Sequence, residues 1–204
     1  MAHRHEAEVW RNKDGRAWRI GRDAEVAWIE ENTTSTMGIT SAVPPTFEAY
    51  ATVQLPVTPD GEGGWVWNEP PDRHDGCVLG VLSEHTAPQR WWLGYLETGG
   101  AETVFYDAPK TQLYGWEYVL IEAGPEQAGN WRADWGRWKG VLPDLMFPAD
   151  RSWLASTLWD DYWTSIGGSG ELIQAFVADP DLRGRAREVD PSAPDVTPPA
   201  PTAT

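Results

Sequence analysis

The sequence predicts a single α+β domain, with a mainly antiparallel sheet and helices packed on one face. Runs of β-forming residues recur at hairpin-like spacing, and amphipathic runs of helical period lie between them. A length of 204 residues suits one domain with its own core. We expect this domain to span residues 1–188 with a surface loop at 57–72, followed by a disordered Pro-rich tail at 189–204.

In the first half, β-forming runs alternate with runs that carry helix-capping signals. The predicted elements are a hairpin of Val9–Trp10 with Ala17–Ile20, a helix from Ala24 to Glu31 capped by Asp23, a strand Ala49–Leu55, and a helix from Asp72 to Glu84. Within the 57–72 loop, Trp65 and Trp67 alternate around Val66. This alternation indicates a short strand or a flap that closes onto the domain.

In the second half, three further strands and a short helix are expected before residue 132. They are the strands Trp91–Leu96, Thr103–Tyr106 and Leu113–Glu122, and the helix Glu126–Trp131 opened by Gly124 and Pro125. The run Tyr118–Ile121 is apolar on both faces, so the strand that contains it is expected to be central in the sheet.

The strongest local pattern is a hairpin from Trp153 to Ile166, with Asp160 and Asp161 at its tip. A two-residue loop would pair Ala155 with Ile166, Thr157 with Thr164 and Trp159 with Tyr162. A four-residue loop is the alternative, because the tip lacks glycine. After it, Ser169 is expected to cap a helix that buries an apolar stripe of Leu172, Ile173, Phe176 and Val177.

The charge of the chain restricts its partners. The formal net charge is −15, and residues 31–204 hold ten basic and 25 acidic side chains. Such a surface repels nucleic-acid phosphates and anionic lipid headgroups, so neither is expected to bind directly. Fourteen tryptophans provide large apolar areas that suit either a core or a recognition surface.

The cysteine count and the N-terminus indicate a cytoplasmic protein. Cys77 is the single cysteine, so no intrachain disulfide forms. The first 22 residues are too polar for a signal peptide, and no apolar run is long enough to cross a membrane. Common phosphate-loop, zinc-protease and nucleophile-elbow motifs are missing, so we expect no cofactor and no metal.

Four segments, taken together, resemble a group of uncharacterised actinobacterial proteins. They are Val43–Ala51, Leu82–Thr86 running into Trp91 and Trp92, Tyr118–Pro125, and Pro143–Trp153 continuing to Gly167 and Gly168. In order and spacing, the resemblance covers roughly residues 40–185. It implies a single cytoplasmic domain and brings no activity, cofactor or catalytic residue with it.

Three carboxylates and one histidine are the candidate catalytic residues. Asp160 and Asp161 lie beside aromatic residues, and paired acids near aromatic platforms are typical of glycoside hydrolysis. Asp150 is a further acid, and His85 is a possible base. The structural alternatives are an Asp turn at the hairpin tip, an Asp150–Arg151 ion pair or an Arg151 that covers an aromatic face, and a His85 that ends a helix.

Two other histidine-containing patterns favour structural or solvent-exposed roles. His74 and Cys77 are three residues apart on a predicted helix, which could activate the thiol, but no third orienting group is evident. A small buried cysteine is the better interpretation. His3 and His5 lie at a terminus, where fraying is common.

The missing catalytic motifs and the acidic charge favour a non-enzymatic interaction module, similar in kind to an inhibitor or immunity protein. Its expected partner is a basic protein, which electrostatic complementarity would select. The predicted binding residues are Glu48, Tyr50, Trp91, Trp92, Arg151, Trp153, Trp159 and Trp163. The alternatives are a hydrolase for a small polar or sugar-like substrate, and an acidic decoy that imitates DNA.

Overall fold

The computed structural model describes residues 8–11, 16–34, 38–62, 65–97, 105, 107–132, 142–158 and 161–193. These form a ten-stranded sheet, a separate hairpin and four α-helices, which confirms the α+β class. The strands are β1 (Glu8–Arg11), β2 (Ala17–Ile20), β3 (Ala49–Gln54), β4 (Val57–Pro59), β5 (Trp65–Trp67), β6 (Trp91–Leu96), β7 (Thr111–Leu113), β8 (Trp116–Ala123), β9 (Leu145–Pro148), β10 (Leu154–Ser156), β11 (Trp163–Gly168) and β12 (Ala186–Glu188). The helices are α1 (Asp23–Glu30), α2 (Pro71–Glu84), α3 (Pro125–Asn130) and α4 (Gly170–Ala178), with a short 3₁₀ helix at Ile39–Ser41.

The main sheet is antiparallel throughout its paired strands. Its order is β1-β2-β8-β6-β9-β10-β11-β3-β12, and β7 also pairs with β8. Strands β4 and β5 form the separate hairpin. The short strand expected at Trp65–Trp67 is therefore present, within the segment that was predicted as a surface loop.

The sheet separates two hydrophobic cores. Along β6, Trp91, Leu93 and Tyr95 point into a first core, whereas Trp92 and Leu96 point into a second. This alternation is the period of two that a β-strand imposes. The first core lies under α2, α3 and α4, and the second lies under α1 and the 3₁₀ helix. Three helices thus share one face, while α1 covers the other.

The predicted register of the β10–β11 hairpin is confirmed where the structure describes it. Ala155 is paired with Ile166, and the hydroxyls of Thr157 and Thr164 are 2.9 Å apart. The N-cap of α4 is also confirmed, because Ser169 Oγ accepts a hydrogen bond from the N–H of Leu172.

The predicted strand Leu113–Glu122 is wrong as a single element. The chain reverses at Tyr114 and Gly115, whose φ values of 55° and 79° are both positive. Positive φ at both central residues is the geometry of a type I′ hairpin turn, so the segment forms the β7–β8 hairpin. The predicted strand Thr103–Tyr106 lies outside the described residues, except for Phe105.

Asp23 does not cap α1 as predicted. Its Oδ1 accepts hydrogen bonds from Thr111 Oγ1 at 2.5 Å and from the N–H of Gln112 at 3.0 Å, which attaches the start of the helix to β7. Glu25 instead closes the helix start, since its carboxylate accepts the N–H of Arg22 at 2.6 Å.

The ordered chain extends past the expected boundary at residue 188. The N–H of Val189 donates to the carbonyl of Tyr50 at 2.9 Å, and Val189 and Ala193 pack against the second core. The predicted disorder is therefore wrong for residues 189–193, and 194–204 lie outside the described residues. Among the described helices, none has the length and apolar character to cross a bilayer.

Candidate functional site

Four of the predicted binding residues are core residues. Tyr50, Trp91, Trp92 and Trp153 are each at most 6% exposed. The rings of Trp91 and Trp153 meet edge to face with centroids 4.8 Å apart, and Trp153 Nε1 donates to Thr86 Oγ1 at 2.7 Å. The sheet is covered on both faces, so these side chains stabilise the fold and do not form a contact surface. That prediction is corrected accordingly.

Glu48 and Arg151 do lie at the surface, each with a local structural partner. The carboxylate of Glu48 lies against the start of α4, where a Cβ on Gly170 would be 3.1 Å from its Oε1. An acid is favourable there because it opposes the positive end of the helix dipole. The guanidinium of Arg151 lies 5.3 Å from the centroid of the Trp28 ring, in the aromatic-covering role that the sequence suggested.

The tip of the β10–β11 hairpin is only partly described. Trp159 and Asp160 lie outside the described residues. Trp163 is half-buried and packs edge to face on Tyr162, with ring centroids 5.0 Å apart. Asp161 is half-buried as well. The predictions for Trp159 and Asp160 therefore stay predictions.

Asp150 and His85 are not joined as an acid–base pair. Asp150 accepts hydrogen bonds from Gln89 Nε2 at 2.7 Å and from the N–H of Ser152 at 3.0 Å. Burial raises the pKa of Asp150, but these hydrogen bonds outweigh it and hold the pKa below its usual range. His85 lies at the C-terminal end of α2, as its structural alternative predicted. No hydrogen bond between described residues links His85 to Asp150 or Asp161.

Cys77 does not contact His74 as a catalytic pair would. Its Sγ lies 3.8 Å from Asp181 Oδ2. Burial and the charges of Asp179 and Asp181 raise the pKa of the Cys77 thiol. A raised pKa reduces the thiolate fraction at neutral pH, so the environment disfavours nucleophilic chemistry.

Cys77, Asp179 and Asp181 are the one group among the described residues with a metal-ligating arrangement. Their ligand atoms lie within 4.8 Å of one another. Both carboxylates already have partners: Arg73 Nη2 lies 2.6 Å from Asp181 Oδ1, and Asp179 Oδ1 accepts the N–H groups of Asp181 and Leu182. These contacts explain the cluster without an ion.

A small polar cavity lies between α2 and the β10–β11 hairpin, and it has space for about one water molecule. We call it the His74 cavity. Its lining residues are Leu55, His74, Asp75, Leu142, Pro143, Asp144, Thr157 and Thr164. Five of these carry polar side chains, and such groups are stable in an interior only where they have hydrogen-bond partners.

His74 is the buried imidazole that lines this cavity. It is 1% exposed, and its Nδ1 lies 2.7 Å from Arg185 Nη1. Burial, together with the nearby charge of Arg185, lowers the pKa of His74 from 6.5 to about 3. The imidazole is therefore neutral at physiological pH. Its Nε2 is buried and has no protein partner among the described residues.

Asp144 also lines the cavity. Its Oδ2 accepts the N–H of Leu96 at 2.9 Å and lies 2.5 Å from Arg132 Nη2, in an ion pair whose side chains are 8% and 16% exposed. The backbone carbonyl of Asp144 accepts the N–H of Thr157 at 2.8 Å. These contacts hold the carboxylate and the hairpin in one fixed arrangement.

Only partial signals for these residues are present in the sequence. His74 attracted attention through its spacing from Cys77, and the structure instead pairs it with Arg185, which is 111 positions away. Asp144 precedes the apolar run Leu145–Pro148, and a carboxylate at the start of a buried strand is a usable signal. Nothing local to Arg185 indicates its long-range role.

The exposed face of α1 carries a second candidate site. Asp23, Glu30 and Glu31 are exposed, and no basic residue lies in the last turn of the helix. Strand alternation puts Trp116 on the same face as Tyr118, which belongs to the core under α1. Trp116 is 49% exposed. We call Asp23, Glu30, Glu31 and Trp116 the acidic α1 surface.

The 3₁₀ helix connects the parts of this surface. The N–H of Thr34, just after α1, donates to the carbonyl of Thr40 at 2.8 Å. The hydroxyl of Tyr114, in the turn before Trp116, donates to the carbonyl of Ala42 at 2.6 Å. The end of α1 and the β7–β8 turn are thus attached to the same short segment.

The fold and these sites define an α+β protein with a covered sheet, a buried polar cavity and an acidic exposed helix. Comparison of the chain with family models, curated proteins and solved structures gives no match.

Proposed function

We propose that the protein is a non-enzymatic interaction module that binds a basic protein through the acidic α1 surface, in the manner of an inhibitor or immunity protein. The observation that carries the proposal is the position of Glu30 and Glu31. They lie at the C-terminal end of α1, and no basic residue lies in its last turn.

This arrangement is unfavourable for the isolated protein. The C-terminal end of a helix carries partial negative charge, so a carboxylate there costs about 0.3–1 kcal/mol where a cation would stabilise the helix. A partner that brings Lys or Arg to this end would remove the repulsion. The net charge of −15 adds a long-range field that attracts the same partner.

Trp116 supplies the apolar contact that such a surface needs. Tryptophan is enriched among the residues that contribute most to binding free energy, because a large indole area leaves water on association. Arg22 and Arg151 border the helix, and Arg151 lies over the ring of Trp28. These two cations offset carboxylates near the start and middle of α1, so the net negative charge of the acidic α1 surface is greatest at Glu30 and Glu31.

The basic residues that lie deeper in the protein already have acidic partners. Lys110 pairs with Glu97, Arg132 with Asp144, and Arg185 with Glu69. They therefore do not neutralise the exposed carboxylates of α1. As part of the proposal, we place the module in the cytoplasm and exclude nucleic acid and anionic membranes as direct partners.

Affinity capture with a matched pair of triple variants tests the proposal. The test variant is Glu30→Gln, Glu31→Gln, Trp116→Ala, and the control is Glu126→Gln, Glu171→Gln, Val66→Ala, which changes equivalent exposed residues on α3, α4 and β5. We expect wild type and control to retain the same basic protein at low salt and to release it as salt rises, and we expect the test variant to lose it. The absence of any retained partner, or equal retention by both variants, would contradict the proposal.

A further inference from the structure

The contact between Arg185 and His74 fixes the tautomer of the imidazole. A guanidinium has only donors, so Arg185 Nη1 must donate to His74 Nδ1 across their 2.7 Å separation. A neutral imidazole has one donor nitrogen and one acceptor nitrogen. The proton of His74 is therefore on Nε2, and this N–H is the buried group that has no protein partner among the described residues.

The cavity that His74 lines also presents hydroxyl groups. Thr157 Oγ1 and Thr164 Oγ1 are 2.9 Å apart, so one of them donates to the other. The accepting hydroxyl keeps its own hydrogen, and both oxygens keep lone pairs. The cavity thus offers donors and acceptors together, at a size that fits about one water molecule.

We propose that the His74 cavity is a binding site for one ordered water molecule, which accepts a hydrogen bond from His74 Nε2–H and joins it to the threonine pair. A buried N–H without an acceptor is energetically unfavourable, and a water with several polar partners removes that penalty. The water links α2, which carries His74, to the β10–β11 hairpin.

The charges around the cavity select water over an ion. A metal ion or ammonium would face the Nε2–H donor directly. The other ring nitrogen, Nδ1, cannot bind it, because its lone pair already accepts the hydrogen bond from Arg185. An anion would face the carboxylates of Asp75 and Asp144, which also line the cavity. A neutral molecule that both donates and accepts suits all of these groups.

NMR of the wild-type protein tests this site without any variant. A long-range ¹H–¹⁵N spectrum is expected to show His74 with a protonated Nε2 and an unprotonated Nδ1. A rotating-frame Overhauser experiment is expected to show a contact between the Nε2–H proton and a long-lived water. An unprotonated Nε2, or a visible Nε2–H proton with no water contact, would overturn the proposal.

A pair of threonine variants adds a second test. Thr157→Val with Thr164→Val keeps the shape of the cavity and removes both hydroxyls, so exchange of the Nε2–H proton with solvent should become at least about tenfold faster as the water loses partners. The control is Thr58→Val, which removes the hydroxyl that bonds Asn68 on the separate hairpin. Equal exchange rates in the folded double variant and the control would also overturn the proposal.

Discussion

Arg185 and His74 form a partly buried contact in which a permanent cation donates a hydrogen bond to a neutral imidazole. The two atoms, Nη1 and Nδ1, are 2.7 Å apart, and the same guanidinium also reaches the carbonyl of Gln54, the carboxylate of Glu69 and the carbonyl of Asp181. One side chain therefore connects β3, α2 and the segment that leads into β12. This connection leads to two of the predictions below.

The first prediction concerns the pH dependence of stability. The pKa of His74 is about 3 in the folded protein against 6.5 for an ordinary histidine. Between these values the unfolded chain binds a proton that the folded protein does not, so stability present above pH 6.5 is lost as pH falls. The slope attributable to His74 is up to about 1.4 kcal/mol per pH unit. Urea unfolding between pH 7 and 4.5 measures it.

Two glutamine variants isolate the contribution of His74. His74→Gln removes the titrating group, so this variant is expected to show a much flatter pH dependence over the same range. His85→Gln, which changes the half-buried histidine at the end of α2, is expected to keep the wild-type slope. A His74→Gln variant with the full wild-type slope would show that the buried imidazole is not the cause.

The second prediction concerns Arg185 itself. Arg185→Met retains most of the apolar stem and removes every hydrogen bond of the guanidinium, which leaves Glu69 and His74 without their partner. We expect the free energy of unfolding to fall by about 2–4 kcal/mol. The control is Arg183→Met, since Arg183 is exposed and the change should stay within about 0.5 kcal/mol. Equal losses in the two variants would contradict the central position of Arg185.

The third prediction uses two glycines in opposite environments. A Cβ on Gly167 would lie 2.5 Å from Phe47 Cδ2 and 2.6 Å from Val43 Cγ1, so Gly167→Ala should destabilise the protein by about 1–3 kcal/mol. A Cβ on Gly76, in α2, meets nothing within 4 Å, so Gly76→Ala should stabilise it by about 0.5–1 kcal/mol. Thermal unfolding of both variants measures whether each substitution lowers or raises the stability of the protein. Reversed signs would show that the packing around β11 is not as described.

The fourth prediction concerns the reactivity of Cys77. Burial and the charges of Asp179 and Asp181 raise the pKa of the thiol, so alkylation at pH 8 should be slower than for free cysteine. Asp181→Asn removes one of these charges and should increase the rate by about two- to tenfold. Glu126→Gln, on α3, is the control and should leave the rate unchanged. A rapid reaction in the wild-type protein would instead revive the activated-thiol hypothesis.

The sequence predicted the fold best where the signals are local. The pairing of Ala155 with Ile166 follows from alternation around a turn, and Ser169 caps α4 because a hydroxyl before an apolar stripe satisfies a free N–H. The turn at Tyr114 and Gly115 was missed, since the apolar pattern continues across it and hides the reversal. A glycine at that position was the available signal.

The candidate sites were harder to predict because they depend on distant residues. The sequence pattern around Trp91 and Trp153 is compatible with either a surface or a core position. Only the contact between their two rings in the folded protein shows that they belong to the core. Asp23 was expected to cap its own helix, but its partner Thr111 is 88 positions away. Long-range contacts of this kind have no periodic signature in one sequence.

The affinity of the captured partner, measured by calorimetry at several salt concentrations, tests the central proposal most directly. If the acidic α1 surface binds a basic protein, Glu30→Gln with Glu31→Gln should weaken binding by about tenfold at low salt and reduce its salt dependence, whereas Glu126→Gln with Glu171→Gln should bind like wild type. Identical affinities and salt slopes for all three proteins would contradict it.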